Sequence, residues 1–548
     1  MSGRHALVLA AATTAMLQGT AHADAPGRGT PKPAGTDGRG GGTSGADADR
    51  ANGTARAGGT PWLDLGGQLP LSDPPELDDL QYRALTDHDN PRYLRLFLEE
   101  MGMLGAGVIE YWIDRKRAIT NFDYPSLLDR FTFKAWRLDN NGFLINFIGH
   151  PLNGMCYHML ARANGLGLVG SVIAGFATSM TWEYGWEFRE KVSINDVMVT
   201  TGAGVTLGEW VNWMGRYLES APSPRPWHRF ARWTIGLPQA LHNALDDRNG
   251  LRKGTTPDSL GFSSDIWHRF ELSAGSVVAQ PRGDATGERV VAPDLRANTE
   301  LVALPGFLRP GHGGRTFRDA NVASLKLRLS TAPDVVAVDL ASDTLLAGIQ
   351  SQSFDERGGT ATLIGIDLGF RFLHERFGGF RERLSQLHFP GLGIDQYILA
   401  GSFWLRARAR VNADFAGVHA AAYPAYRADH VDVADKQILR KHGYYYGWGA
   451  STRLDLELHT RHVAAGVAFR YGRYDSQEGL DRKQEDVTDD VNARDTTLDA
   501  EAWLRIAPTA GRLYLEARAS QLEREGRVGA YTSDQSLRRI SFALGLSL

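Results

Sequence analysis

Apolar and polar positions alternate with a period of two from about residue 261 onward, whereas between about residues 75 and 250 the apolar positions recur every three or four residues. The last segment shows the first pattern most cleanly. Ile540, Phe542, Leu544, Leu546 and Leu548 alternate with Ser541, Ala543, Gly545 and Ser547, so a β-strand here carries one oily face and one face of small residues. The same division separates Phe403, Leu405, Ala407 and Ala409 from Trp404, Arg406, Arg408 and Arg410, and Leu454, Leu456 and Leu458 from Arg453, Asp455, Glu457 and His459. It recurs around Leu327, across 498–506 and across 513–519. One such strand also fits a soluble sandwich. Repetition over roughly ten to fourteen segments fits a closed transmembrane barrel better, with lipid outside and a polar lumen inside.

The connections carry a second signal. Residues 424–441, 475–495 and 523–536 read as long polar loops, and Thr460 and Pro508 to Gly511 mark tight turns. Long loops on one rim and tight turns on the other is the build of an outer-membrane barrel. Thr331 to Asp334 breaks this parity, so one strand between 321 and 360 is split or misplaced. The expected count is about twelve strands, within 10–14. Tyr444, Tyr445, Tyr446, Trp448, Tyr471 and Tyr474 read as an interfacial aromatic girdle.

In the helical half, Asn90-Pro91 offers an N-cap and a first-turn proline ahead of Tyr93, Leu94, Phe97, Leu98 and Met101 at helical spacing. Leu166 to Trp182 is uncharged for 17 residues, which is short for a membrane span and suits a buried helix. Ser193-Ile-Asn-Asp196 fits a capping pattern that opens a further helix toward Tyr217. The organisation expected is therefore α+β. A helical domain at 75–250 precedes an antiparallel transmembrane β-barrel at 261–548.

The N-terminal region and the composition refine this picture. Arg4, an apolar run from Ala6 to Met16, and Ala21-His22-Ala23 form a signal-peptide pattern over residues 1–23. Residues 24–74, Gly- and Ala-rich at the start, read as a flexible linker. One cysteine, Cys156, excludes an internal disulfide. A formal net charge of -3 argues against a nucleic-acid partner. Hydrophobic residues make up 43% of the chain, yet its mean hydropathy is negative, as befits strands that are oily on one side only.

The helical half also carries ordered motifs: Asn146 to Pro151 with Gly154 and Tyr157, then Ser179 to Tyr184 with Glu187, then Ser193-Ile-Asn-Asp196, then Gly204 to Glu209. Over about residues 75–250 these resemble the bacterial domain-of-unknown-function family 3943. The resemblance implies an exported protein of the Gram-negative envelope, often with a strand-rich C-terminal region, and no established activity. Val192 departs from the pattern, which would place a proline there.

His150, Glu183, Glu187, Asn195, Asp196 and Glu209 form the candidate polar cluster. Glu183 and Glu187 lie one helical turn apart after an apolar helix, where a carboxylate needs a cation or a proton. His158 is a further partner the sequence offers. A histidine with several carboxylates suits acid/base work or a divalent metal, but no zinc-enzyme spacing is present and neither metal nor cofactor is expected. Three readings stay open. The cluster is structural, it gates or binds, or it serves a lipid or envelope hydrolase built on His150, Glu183 and Glu187, with Ser179 as a conceivable nucleophile. Arg406, Arg408, Arg410, Asp455 and Glu457 are expected to line the lumen. The leading expectation is an outer-membrane structural or transport component whose helical domain plugs or gates the barrel. Its expected partners are membrane lipid and, through the strand at 540–548, the outer-membrane assembly machinery.

Overall fold

The computed structural model describes residues 82, 86, 90–113, 125–139, 141–188, 190–246, 257–285, 287–355, 357–430, 438–477, 491–507 and 512–548. The expected signal peptide and linker lie outside the described residues, as does the turn at 508–511. Helices and strands belong to one unit, residues 59–548.

Twelve antiparallel strands close into a barrel. They are β1 (Trp267–Gly283), β2 (Val290–Val302), β3 (Gly311–Phe317 continued by Val322–Ala332), β4 (Val335–Asp355), β5 (Gly358–Phe377) and β6 (Phe380–Ala400). The circuit continues through β7 (Phe403–His419), β8 (Tyr444–His459), β9 (Val463–Ser476), β10 (Ala493–Ile506), β11 (Leu513–Val528) and β12 (Tyr531–Ser547). Each strand pairs with its sequence neighbour, and β12 closes on β1 in register Phe542↔Ser276.

The expected split strand is β3. Phe317 opposes Gly348 and Val322 opposes Leu345, so residues 318–321 bulge where β4 spends only 346 and 347. Loop parity is looser than expected. The connections 420–443 and 477–492 are long, but they share their rim with two-residue turns at 333–334, 378–379 and 529–530. The stretch 523–536, expected to be a loop, is strand on both sides of Gly529. There β11 and β12 rise past the apolar belt. Outward Glu523, Glu525 and Asp534 then look like loop residues although they sit in a ladder.

The oily faces point outward. Leu454, Leu456, Phe469, Phe542 and Leu544 are exposed around the barrel, as a lipid-facing belt requires. Inward, the two walls meet through ion pairs between strands that are not neighbours. Arg406 and Arg408 of β7 reach Glu300 of β2, the latter at 2.8 Å. Arg269 of β1 holds Glu457 of β8 at 2.7 Å, and Arg505 of β10 holds Glu271 of β1 at 2.7 Å. Arg410 bridges Asp395 at 2.7 Å and Asp367 at 2.8 Å, while Asp455 pairs with Arg453 at 3.2 Å. Among these side chains, one cavity of about 40 Å³ is lined by Asp343, Arg371, Arg410, Arg453 and Arg470.

Described parts of the connections pack over both ends of the barrel. At the long-loop rim, Ala420, Ala422, Tyr426 and Leu439 of the connection 420–443 pack into an inward apolar cluster with Val277, Val335, Leu373 and Leu537. At the opposite rim, Leu304 and Phe307 fold onto Trp267, Tyr397 and Trp404, and Gln352 Nε2 donates to Gly306 O at 2.7 Å.

The helices that precede β1 do not enter this lumen. They comprise α1 (Tyr93–Ile113), α2 (Leu127–Phe131), α3 (His150–Ala163), α4 (Leu168–Thr181), α5 (Ile194–Leu218), α6 (Pro226–Thr234) and α7 (Leu237–Leu245). Phe370 and Phe372 alternate with inward Arg371 and Leu373, so they face outward, yet they are buried against Phe143, Phe147, Val199 and Ala203. A Cβ on outward Gly417 would lie 2.0 Å from the Phe147 ring. At the other end of α5, Tyr217 stacks 4.8 Å from His268, and Trp210 Nε1 donates to Thr299 Oγ1 at 2.7 Å. All of these wall residues lie on the face opposite the lumen arginines. The helical domain therefore packs on the outer wall, which corrects the expected plug. Among the described residues, the lumen is bridged by the barrel's own side chains and its ends are packed by the barrel's own connections.

Two further expectations change with that placement. Tyr444 and Tyr446 point outward but are buried under the helices, while Tyr445 and Tyr474 point inward; Trp448 and Tyr471 remain on the exposed belt. Helix α1 begins at Tyr93, and Asn90 takes a left-handed φ of 56° instead of capping it. Its orientation is inverted for a water-soluble helix: Leu94 is 72% exposed, whereas Leu96 is 5% and Glu100 7% exposed.

Candidate functional site

The polar cluster assembles where the helical domain meets the outer wall. A two-residue parallel ladder pairs Trp136 with Val192 and Arg137 with Ser193, which brings the loop after Arg137 beside the start of α5. Asn195, in the first turn of α5, is the hub. Its Oδ1 accepts from Asp139 N at 2.7 Å and from Ser193 Oγ at 3.0 Å, and its Nδ2 donates to Asp196 Oδ1 at 2.7 Å and to Tyr446 OH at 3.1 Å. Ser193 precedes the helix without a side-chain cap bond, its hydroxyl being given to Asn195. That departs from the expected capping role.

His150 opens α3 through an unbroken π-turn (Ile145–Gly149), and its Nε2 lies 3.2 Å from Asp196 Oδ1. Glu183 sits in a second π-turn (Trp182–Trp186), fully buried, where Oε2 accepts Ser193 N at 2.9 Å. Glu187 follows that turn, half-buried, and its carbonyl accepts Arg130 Nη2 at 3.0 Å. Asn146 Nδ2 donates to both wall tyrosines, Tyr444 at 3.1 Å and Tyr446. Around the edge, Arg137 pairs with Glu190 at 3.1 Å, and Arg130 Nη1 donates to Glu183 O at 3.0 Å.

This site is poor in water and rich in acids. Burial, together with the neighbouring Asp196 charge, pushes Asp139 up to about 7. Burial pushes Asp196 up to about 7 and Glu183 well above the usual carboxylate range, the latter helped by Glu187. Glu187 is raised by burial and by Glu190. Burial lowers His150 to about 4. At neutral pH the imidazole is therefore neutral and carboxyl protons are held between acids. The partner of His150 is Asp196, and Ser193 Oγ is committed to Asn195. Among the described residues, no three His, Cys, Asp or Glu side chains are grouped to hold a metal ion.

Glu209 belongs elsewhere. It lies on the far half of α5, where His158 Nε2 approaches Oε1 at 2.6 Å and Arg162 Nε at 2.9 Å. Arg162 in turn grips Asp319 with two parallel bonds of 2.9 and 3.0 Å. Asp319 and Ala320 form the break in β3, and Ala320 O accepts Trp213 Nε1 at 2.8 Å. The break thus turns a carboxylate outward to anchor the helices. Close approach of α3 and α5 makes this possible: a Cβ on Gly204 would stand 2.4 Å from the Gly154 carbonyl carbon.

Residues 135–236 match DUF3943, a domain of unknown function. The DUF3943 segment contains His150, Glu183, Glu187, Asn195, Asp196 and Glu209, so one recognisable segment supplies two separate buried networks. No curated protein matches the chain. Among solved structures, the chain is similar to OmpT of Vibrio cholerae at 4% identity, covering 52% of this chain and 99% of that one with a TM-score of 0.20. It is similar to the anion-selective porin of Comamonas acidovorans at 11% identity, covering 52% and 100% with a TM-score of 0.20. It is also similar to the translocator domain of the autotransporter NalP from Neisseria meningitidis at 13% identity, covering 56% and 96% with a TM-score of 0.20. The outer-membrane location rests on the closed ladder with its oily outward belt and charged interior.

Sequence reasoning missed Asp139, Arg137, Arg162 and Glu190 within the DUF3943 segment and Tyr444, Tyr446 and Asp319 outside it. Tyr444 and Tyr446 did carry a signal, because two hydroxyls on the lipid side of a strand demand covered partners. Asp319 in an alternating strand looked like an ordinary loop residue.

Proposed function

We propose that the protein is a non-conducting structural component of the outer membrane, in which a sealed barrel anchors a helical domain within the lipid phase beside it. The observation that carries this reading is the docking of α5 on the outward wall while charged side chains fill the interior. A helical domain on a lipid-facing wall meets lipid on its own far side, and its surface suits that. Phe97, Leu98, Ile173, Phe176 and Phe230 are exposed on α1, α4 and α6, while Arg95 pairs with Asp246 at 2.8 Å and Arg232 with Glu219 at 2.5 Å. Membrane lipid is then the direct partner, and the outward strand at 540–548 is the handle for the barrel-assembly machinery. The buried cluster serves as a polar lock between helices and wall, which also weighs against a hydrolase built on His150.

Planar-bilayer recording of the purified full chain tests the reading, with heat-modifiable gel migration showing that the barrel is folded. The expected record is silent across the usual range of voltages. Steady conductance steps from folded protein would overturn it.

A further inference from the structure

A second surface lies on the wall that the helices leave free. Across β6 to β12 the outward face is concave, forming a groove of about 1090 Å³, the upper end of small-molecule site volumes. Its lining runs from Ala407 and Ala409 of β7, across Leu454 of β8 and Phe469 of β9, to Ala500 and Ala502 of β10.

The lining is mostly apolar; Gln396 of β6 stands at one side, and outward Arg538 and Gln521, the latter donating to Glu523, meet it at the other. Arg538 Nε donates to Gln521 Oε1 at 3.0 Å, and among the described residues the guanidinium forms no ion pair. It stands one step beyond Ile540 on the same face of β12, at the upper edge of the oily belt. A cation at that height faces lipid headgroups, and an arginine fork suits phosphate oxygens. A second copy of the chain is a poor occupant, because two hollow faces leave a void between them.

We propose that this groove is a binding site for an anionic phospholipid, with acyl chains along its apolar lining and the phosphate on Arg538. The proposal needs only the barrel in its membrane and stands apart from the role of the helices. The full chain is reconstituted in nanodiscs holding equal phosphatidylglycerol and phosphatidylcholine, extracted in mild detergent, and its retained lipid identified by native mass spectrometry. Phosphatidylglycerol is expected to be retained about tenfold over phosphatidylcholine, the scale of one charge-assisted contact. Arg538→Gln is expected to abolish the preference while lipid is still retained, and Ala407→Trp with Ala502→Trp to lower retention of both lipids. Equal retention of the two lipids by the unaltered protein overturns the proposal, and needs no variant. So does unchanged retention in both variants, or a dimer that the tryptophans dissociate.

Discussion

Asp319 is the residue through which the barrel holds the helices. Its carboxylate takes both Arg162 bonds and accepts Leu168 N at 3.1 Å, all out of water. Removing it takes two charge-assisted bonds from a buried guanidinium, and breaking a buried pair costs about 3–5 kcal/mol. Asp319→Ala is therefore expected to lower the apparent melting temperature markedly. Glu523→Ala on the outward edge of β11 is the control, expected to change stability by less than about 0.5 kcal/mol. Asp196 makes the opposite kind of prediction. Its folded pKa of about 7 lies above the ordinary 3.8, so its contribution is fully present below pH 4 and is lost as pH rises through 7. Asp196→Asn keeps an acceptor for Asn195 without that loss. The variant should melt close to the unaltered protein at pH 4 and above it at pH 8, by on the order of 1–3 kcal/mol. A variant that loses stability equally at both values would show that the charge of Asp196, not its proton, is what the cluster needs.

At the scale of elements, the α3–α5 crossing has no slack. Gly204→Ala places a methyl against the Gly154 backbone, and the helices must part, which costs roughly 1–3 kcal/mol or more. Gly105→Ala in α1 meets nothing within 4 Å and should gain up to about 1 kcal/mol from helix propensity. Thermal melts of the two variants should move in opposite directions. The elements themselves were largely legible in the sequence. Alternation over 403–411, 454–458 and 540–548 set strands and lumen-facing arginines because the side-chain period is a property of the backbone alone. Strand ends were harder to read. Around Gly529 both faces turn polar once the ladder leaves the lipid belt, and that pattern is indistinguishable from a loop. The amphipathic pattern of α1 was equally plain, but pattern alone does not say whether its oily side meets protein or lipid.

For the molecule as a whole, the same ambiguity hid the position of the helical domain. An outward apolar residue looks alike whether acyl chains or helices cover it, so Phe372 and Leu454 carry the same sequence signal and opposite surroundings. Only polar residues on that side, Tyr444 and Tyr446, distinguish the two, since a hydroxyl in hydrocarbon lacks partners. The candidate cluster was therefore legible as a list and not as a place. Its residues were named, but Glu209 was grouped with a network at the other end of α5, and the wall that completes the site was missed. The placement itself is open to direct measurement. With Cys156 replaced by alanine, a fluorophore on Leu454→Cys should be strongly quenched by nitroxide-labelled acyl chains, because that position is 51% exposed on the belt. A label attached through Val338→Cys, outward on β4 but packed against the helices, should be quenched several-fold less. Phe176→Cys on α4 should behave like the belt position, because the far side of the helical domain faces lipid in the arrangement proposed above. Strong quenching at Val338 would return the helices to the lumen or detach them from the wall, and weak quenching at Phe176 would place their outer surface in water.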